Sequence, residues 1–261
     1  MTASISLALT NDVRNVLRIA DTCLVHAQRL AEWCGHAPVL EEDIALSNLG
    51  LDLLGQARAL LTHAAKLEGS GHDEDALAFL RDEQHYFNLT LAELRLRRGG
   101  GDFADTQLRC LLIAAWLVPL WQGLQSSRDA DLAAIAGKAA KETRYHFEHA
   151  ADWVVRLGDG SDESMRRMGA APLRAWPYVA ELFDDDEVDV AAASSGLGPR
   201  ASELRALFLS SLHPVFADAQ LALPSDGAFM SQGKRGVHSE HMGYLLAEMQ
   251  HLQRAFPGGV W

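Results

Sequence analysis

Apolar residues in this chain recur at steps of three and four, and no stretch alternates convincingly between apolar and polar. That period belongs to helices and not to strands, so it restricts the chain to an all-α fold. Leu132, Ile135, Ala139, Trp153 and Leu157 follow it across one segment, and Pro and Gly fall mainly between such segments as breaks. Helices are expected at about Asp12–Trp33, Leu40–Leu67, Asp73–Arg98, Ala104–Gln125, Asp129–Leu157, Ser161–Phe183, Ala201–Leu223 and Ser239–Phe256. The third has acids at its start (Asp73, Glu74, Asp75) and Arg95, Arg97 and Arg98 at its end before Gly99–Gly101, the charge order that a helix dipole favours. "DDDEVDVAAASSGLGPR" (184–200) reads as an extended surface loop.

Long helices with short connections describe a bundle with additional helices around it. The second helix is apolar nearly all round (Leu46, Leu49, Leu51, Leu53, Leu54, Leu60, Leu61), which predicts burial on every face. One domain over residues 1–261 is expected, with a bundle core at about 39–157 and flanking helices at about 12–33 and 161–256. The hydrophobic fraction of 48% supplies a core of that size.

A net charge of −12 opposes a nucleic-acid partner, and no uninterrupted apolar run is long enough to span a membrane. Three scattered cysteines (Cys23, Cys34, Cys110) fit a reducing cytoplasm and lack metal-ligand spacing. The N-terminus has no basic segment ahead of its apolar residues and reads as mature sequence.

The chemistry-bearing stretch is "KETRYHFEHAADW" (141–153), where Glu142, His146 and His149 continue the apolar stripe of the fifth helix beside Tyr145. A carboxylate in such a stripe must be paired, hydrogen-bonded or metal-bound. Three readings follow: a metal site, a satisfied polar interior, or the relic of a metal site. A di-iron or di-manganese bundle needs one Glu from each of two helices and Glu-x-x-His from each of the other two. Glu248-x-x-His251 falls opposite the apolar stripe of the last helix and reads as exposed. Asp82-x-x-His85 is a shortened variant, and Asp52, with Asn48 one turn earlier, is a further candidate. The fourth helix contains no Asp or Glu from Thr106 to Arg128, "TQLRCLLIAAWLVPLWQGLQSSR", so the full ligand set cannot be assembled. A single weakly held ion remains compatible. Lys234 and Arg235 lie in a glycine-rich stretch that is not a P-loop; they read as a solvated loop or as contacts to an anionic ligand or partner.

Three stretches together, "LAEWCGHAPVLEEDIALSNLGLDLLGQARALL", "AAIAGKAAKETRYHFEHAADWVVRLGDGSDES" and "GKRGVHSEHMGYLLAEMQHLQRAFPG", resemble the C subunits of the bacterial multicomponent phenylacetyl-CoA 1,2-epoxidases. The likeness runs from about Val25 to Trp261. The resemblance implies a ferritin-like four-helix bundle and a non-catalytic structural subunit that supports a di-iron A subunit. It implies no cofactor in this chain, with FAD, an iron–sulfur centre and NADPH at the reductase; a homodimer of the isolated chain is compatible with it. On this reading there is no catalytic residue and no metal is expected; Asp52, Asp82, His85, Glu142, His146 and His149 are remnants of a degenerate site. The rival reading is a self-sufficient ferritin-like metal-dependent oxidase using Asp52, Asp82, His85, Glu142 and His146.

Overall fold

The computed structural model describes residues 4–95 and 102–259, and its elements there are helical. They are α1 (Asn11–Ala31), α2 (Leu40–Glu68), α3 (Glu74–Phe79), α4 (Thr90–Glu93), α5 (Phe103–Leu124), α6 (Ala130–Gly158), α7 (Asp162–Ala175), α8 (Glu187–Ser195), α9 (Arg205–Asp218), α10 (Glu240–Met249) and α11 (His251–Ala255). Single 3-10 turns join several of them. Among the described residues there is no strand, only an isolated bridge between Gln232 and Val237, so the fold is all-α. Two compact units form: Met1–Leu94 with Gln232–Trp261, and Arg95–Ser231.

The first unit is built on the α1–α2 hairpin. Thr10 caps α1 through the Val13 N–H, and Gly69 ends α2 in the left-handed conformation that glycine tolerates best. Contrary to the sequence expectation, α2 is not buried all round. Leu46, Leu49, Leu53, Leu60 and Leu61 are buried, whereas Leu51 and Leu54 are exposed. The helix that is buried on nearly every face is α5, in the second unit, from Ala104 to Leu117 without a break. Its composition would allow a membrane span, yet 89% of its most apolar window is buried in the protein.

The third predicted helix also fails. It stops at Phe79, passes through one 3-10 turn (Glu83–His85), runs extended over Tyr86–Leu89 and resumes for a single turn in α4. Arg95 is not helical, and Arg97, Arg98 and Gly99–Gly101 lie outside the described residues. Tertiary hydrogen bonds to α1, described below, compete successfully with local helix propensity here.

The second unit is built on the α5–α6 hairpin, followed by α7, α8 and α9. Gly158 ends α6 where any Cβ would run into the Ala219 carbonyl, which lets α6 and the end of α9 approach closely. The expected surface loop at 184–200 contains α8. Its start is a capping box, Asp186 with Asp189, and its end is Gly196 in the left-handed region. The runs expected at 161–183 and 201–223 hold shorter α-helices with 3-10 turns, and the last run divides at Gln250.

Candidate functional site

The densest polar constellation is in the first unit, and α1 organises it. Arg18, Asp21, Thr22 and Arg29 are buried among the apolar residues of that helix. Asp21 accepts the Phe87 N–H (2.8 Å), and the Thr22 hydroxyl accepts the Leu89 N–H (3.1 Å). Backbone donors that a helix would satisfy internally are satisfied instead by two α1 side chains, which is why residues 86–89 stay extended. Arg81 forms a fork with Asp21, one arm at 2.9 Å, with both side chains wholly buried. It also donates to the carbonyls of His85 (2.7 Å) and Leu77, and lies 4.2 Å above the Tyr86 ring. Burial pushes the Tyr86 phenol up to about 12, even against the lowering effect of the Arg81 charge. Its hydroxyl donates to the Ala78 carbonyl (2.5 Å) and accepts from Gln250 (2.7 Å).

The second cluster closes the C-terminal segment onto this framework. Glu93 meets His238 Nδ1 at 2.8 Å and accepts the Ser239 N–H and the Asn88 amide (2.9 Å). His238 Nε2 lies 2.9 Å from the Tyr86 carbonyl, so an acceptor flanks each ring nitrogen. Only the imidazolium donates to both, and geometry therefore selects the charged ring. Burial opposes the charge on each partner, but their hydrogen bonds and mutual attraction prevail: the His238 pKa is raised and the Glu93 pKa is lowered. Arg29 donates to the Glu93 carbonyl (2.8 Å) and the His241 carbonyl (3.3 Å), and Arg18 to the Lys234 carbonyl (3.0 Å).

The glycines of "GKRG" have a packing explanation. Gly233 donates to the Thr90 hydroxyl (3.1 Å), and a Cβ there would strike the Asn88 carbonyl. Gly236 has φ 81° and lies against the Gln84 carbonyl. Lys234 is buried and Arg235 exposed, so the two cations do not share one solvated loop surface.

The metal-site candidates have other surroundings. Asp82 accepts from the Ser4 hydroxyl and lies 3.9 Å from Arg254, at the start of the 3-10 turn that contains His85. Asp52 is half-buried on α2 and Asn48 is exposed. On α6 the buried row is Leu132, Ala136, Ala139, Thr143, His146, Ala150 and Val154. The predicted stripe was therefore rotated slightly. His146 is buried, Glu142 and His149 are half-buried, and Tyr145 is exposed. Glu142 lies 3.6 Å from Lys138, one turn away, and Trp121 Nε1 donates to the buried Thr143 hydroxyl (3.1 Å). In α5, Asp105 is held by Arg174 at 2.9 Å, and Asp102 caps the helix at the Ala104 N–H. Among the described residues no three His, Cys, Asp or Glu side chains gather as a metal site would require. These residues do not fit a di-iron centre. Glu248 and His251 are exposed, as their position opposite the apolar stripe predicts.

Sequence reasoning missed Asp21, Arg81, Glu93 and His238. A signal existed on α1, where Arg18, Asp21, Thr22 and Arg29 occupy positions that its apolar periodicity assigns to the interior. A buried polar run of that kind requires partners elsewhere in the chain.

The model of the family described as "Phenylacetic acid catabolic protein" matches residues 2–261. The chain belongs to that family. Among curated relatives of this chain is the C subunit of the 1,2-phenylacetyl-CoA epoxidase of Escherichia coli (strain K12). The two are 49% identical over 245 residues, covering 94% of this chain and 97% of the relative. The resemblance carried by the three quoted stretches is thereby confirmed over almost the whole length.

Proposed function

We propose that the chain is a structural, non-catalytic subunit of a phenylacetyl-CoA 1,2-epoxidase in aerobic phenylacetate catabolism. The observation that carries this reading is the near end-to-end match to the C subunit of such an epoxidase, with both proteins covered almost entirely. The donor set supports the non-catalytic part. Asp21 and Glu93 each accept hydrogen bonds from buried donors within the fold, and α5 has no acid beyond Asp105. In this proposal the chain is one ferritin-like four-helix-bundle domain with additional helices, located in the cytoplasm. It stabilises a di-iron A subunit, which does the oxygen chemistry, while a reductase with FAD, an iron–sulfur centre and NADPH supplies electrons. A homodimer of the isolated chain is compatible with this reading. Asp52, Asp82, His85, Glu142, His146 and His149 are in this view remnants of a metal site without a catalytic duty.

The test is metal content and assembly measured together. The isolated chain, purified from iron-supplemented cells, is expected to hold far less than one iron per chain. The A subunit should lose solubility when produced without it. Near-stoichiometric iron with an oxo-bridge absorption band in the isolated chain would overturn the proposal.

A further inference from the structure

On α2 the residues Leu40, Ile44, Leu51 and Leu54 are 71, 53, 64 and 41% exposed. At 100° per residue they fall within an arc of about 80°, so they form one apolar row along about 21 Å of helix. Such a row on a long helix is unusual for a surface that meets only water. At its C-terminal end Leu54 also lines a cleft of about 300 Å³ with Leu24, Ala57, Leu61, Ala78 and Phe79. Arg58 stands at the rim of the cleft, held by Glu74 at 3.2 Å. The row, interrupted by the half-buried Ser47, leads into the cleft, which has space for an anchoring side chain and is also lined by Glu74 and Asp75.

The charges beside the row indicate what covers it. Glu41, Asp43 and Asp52 stand on the flanks of the row, Glu42 is buried on the far side of the helix, and Arg58, which continues the row, is held by Glu74. A symmetric contact between two copies places the same patch on both sides. Packed antiparallel about the middle of the row, Glu41 of one copy meets Asp52 of the other; packed parallel, Glu41 meets Asp43. Either arrangement sets acid against acid at the edge of an apolar contact, where such juxtaposition is most costly. A different protein with an apolar row edged by Lys or Arg meets no such penalty.

We propose that the exposed face of α2, from Leu40 to Leu54 with its adjoining cleft, is the docking surface for the catalytic A subunit, through a helix whose apolar row is flanked by basic residues. This rests on the reading of the chain as a subunit of the epoxidase. Leu51, between Ile44 and the cleft, and the side chain received by the cleft carry most of the affinity, as desolvated anchors do in protein interfaces.

The test uses the full chain and the A subunit of the same organism, with affinity measured on purified proteins. Ile44→Ser with Leu51→Ser is expected to weaken binding at least about tenfold. Its far-UV spectrum and Tm should match those of the wild type, because both side chains are exposed. Asp52→Lys should weaken binding several-fold, and wild-type affinity should fall as salt rises. Leu207→Ser, at an exposed leucine on α9, should bind normally. Undiminished affinity of the double variant overturns the proposal, as does an equal loss for Leu207→Ser. Self-association that light scattering detects in the wild type, and that vanishes only in the double variant, assigns the row to a second copy and overturns it also. A wild-type chain that fails to bind the A subunit at all refutes the subunit reading itself, and the docking surface falls with it.

Discussion

The two hairpins of this protein solve the problem of burial differently. The first unit, built on the α1–α2 hairpin, is tied together by polar chemistry. Wholly buried Asp21–Arg81 and Glu93–His238 pairs connect α1, the extended residues 86–89 and a segment more than 130 residues further along the chain. The α5–α6 hairpin is closed by shape. Leu108, Leu111, Leu112, Trp121 and Leu124 fill its interior, the Trp121 indole donates to the Thr143 hydroxyl across it, and an ion pair joins the buried Asp105 of α5 to the half-buried Arg174 of α7. Apolar packing tolerates small adjustments because dispersion contacts have no strict direction. Buried charges are less tolerant: each must keep its partner and its hydrogen bonds, or it carries a desolvation penalty. The polar unit is thus the one whose fold depends on chain segments distant in sequence, and that dependence can be tested residue by residue.

The largest expected effect comes from breaking the buried pair on one side only. Arg81→Met leaves Asp21 charged and unpaired and removes the donors to the His85 and Leu77 carbonyls. A loss of about 3–5 kcal/mol is expected in denaturant unfolding. A loss below about 1 kcal/mol would mean that the polar closure is not what holds the first unit together.

Its counterpart in the second unit is Leu111→Ala, at a position with no exposed surface. Cavity formation should cost about 2–5 kcal/mol, and a dry apolar site of this kind should bind xenon or benzene. A ΔΔG near zero would remove the contrast between the two hairpins.

His238→Gln is expected to be milder at neutral pH, about 1–3 kcal/mol, because the amide still reaches one acceptor. Its more specific signature is in the pH profile. The His238 pKa is raised above its ordinary 6.5, so its contribution is fully present below 6.5 and is lost as pH rises through the folded value. The Glu93 pKa is lowered from its ordinary 4.5, so its contribution is present above 4.5 and is lost as pH falls through the still lower folded value. Wild-type stability should therefore decline on the alkaline side of 6.5, and the variant should lack that slope. An identical alkaline slope in both proteins would show that the pair is not linked to folding as the geometry implies.

The smallest effect is expected at the residue most prominent in the sequence. Glu142 is half-buried, pairs with a Lys138 side chain that is 79% exposed, and is matched in shape by Gln, so Glu142→Gln should change stability by less than about 1 kcal/mol. A multi-kilocalorie loss in thermal or denaturant unfolding would restore it to the interior.

These contrasts also mark which features could be read from the chain alone. The limits of α1, α2, α5 and α6 were legible because each combines a sustained three-and-four period with breaks at its ends, such as Gly69 after α2 and Asp129 before α6. The helix α8 was legible in principle, since Asp186 and Asp189 form a capping box and Gly196 a C-cap, but its run of acids reads equally well as a loop. The α6 stripe was placed one residue off because both Glu142 and Thr143 satisfy the period within its tolerance. Period alone does not measure which of two adjacent positions faces inward.

The sequence by itself determined that this protein is all-α, where its long hairpins begin and end, that α5 lacks carboxylates past its first turn, and which family it resembles. All of these follow from local pattern, because helix period, capping and composition act over a few turns. Only the tertiary structure decided that α5 and not α2 is buried on nearly every face, that residues 86–89 leave the helix, and that Glu93 finds its cation at His238. Those outcomes depend on which distant segment offers a surface or a hydrogen-bond partner. A buried charge records in the sequence that it needs a partner, and only the fold determines which residue that partner is.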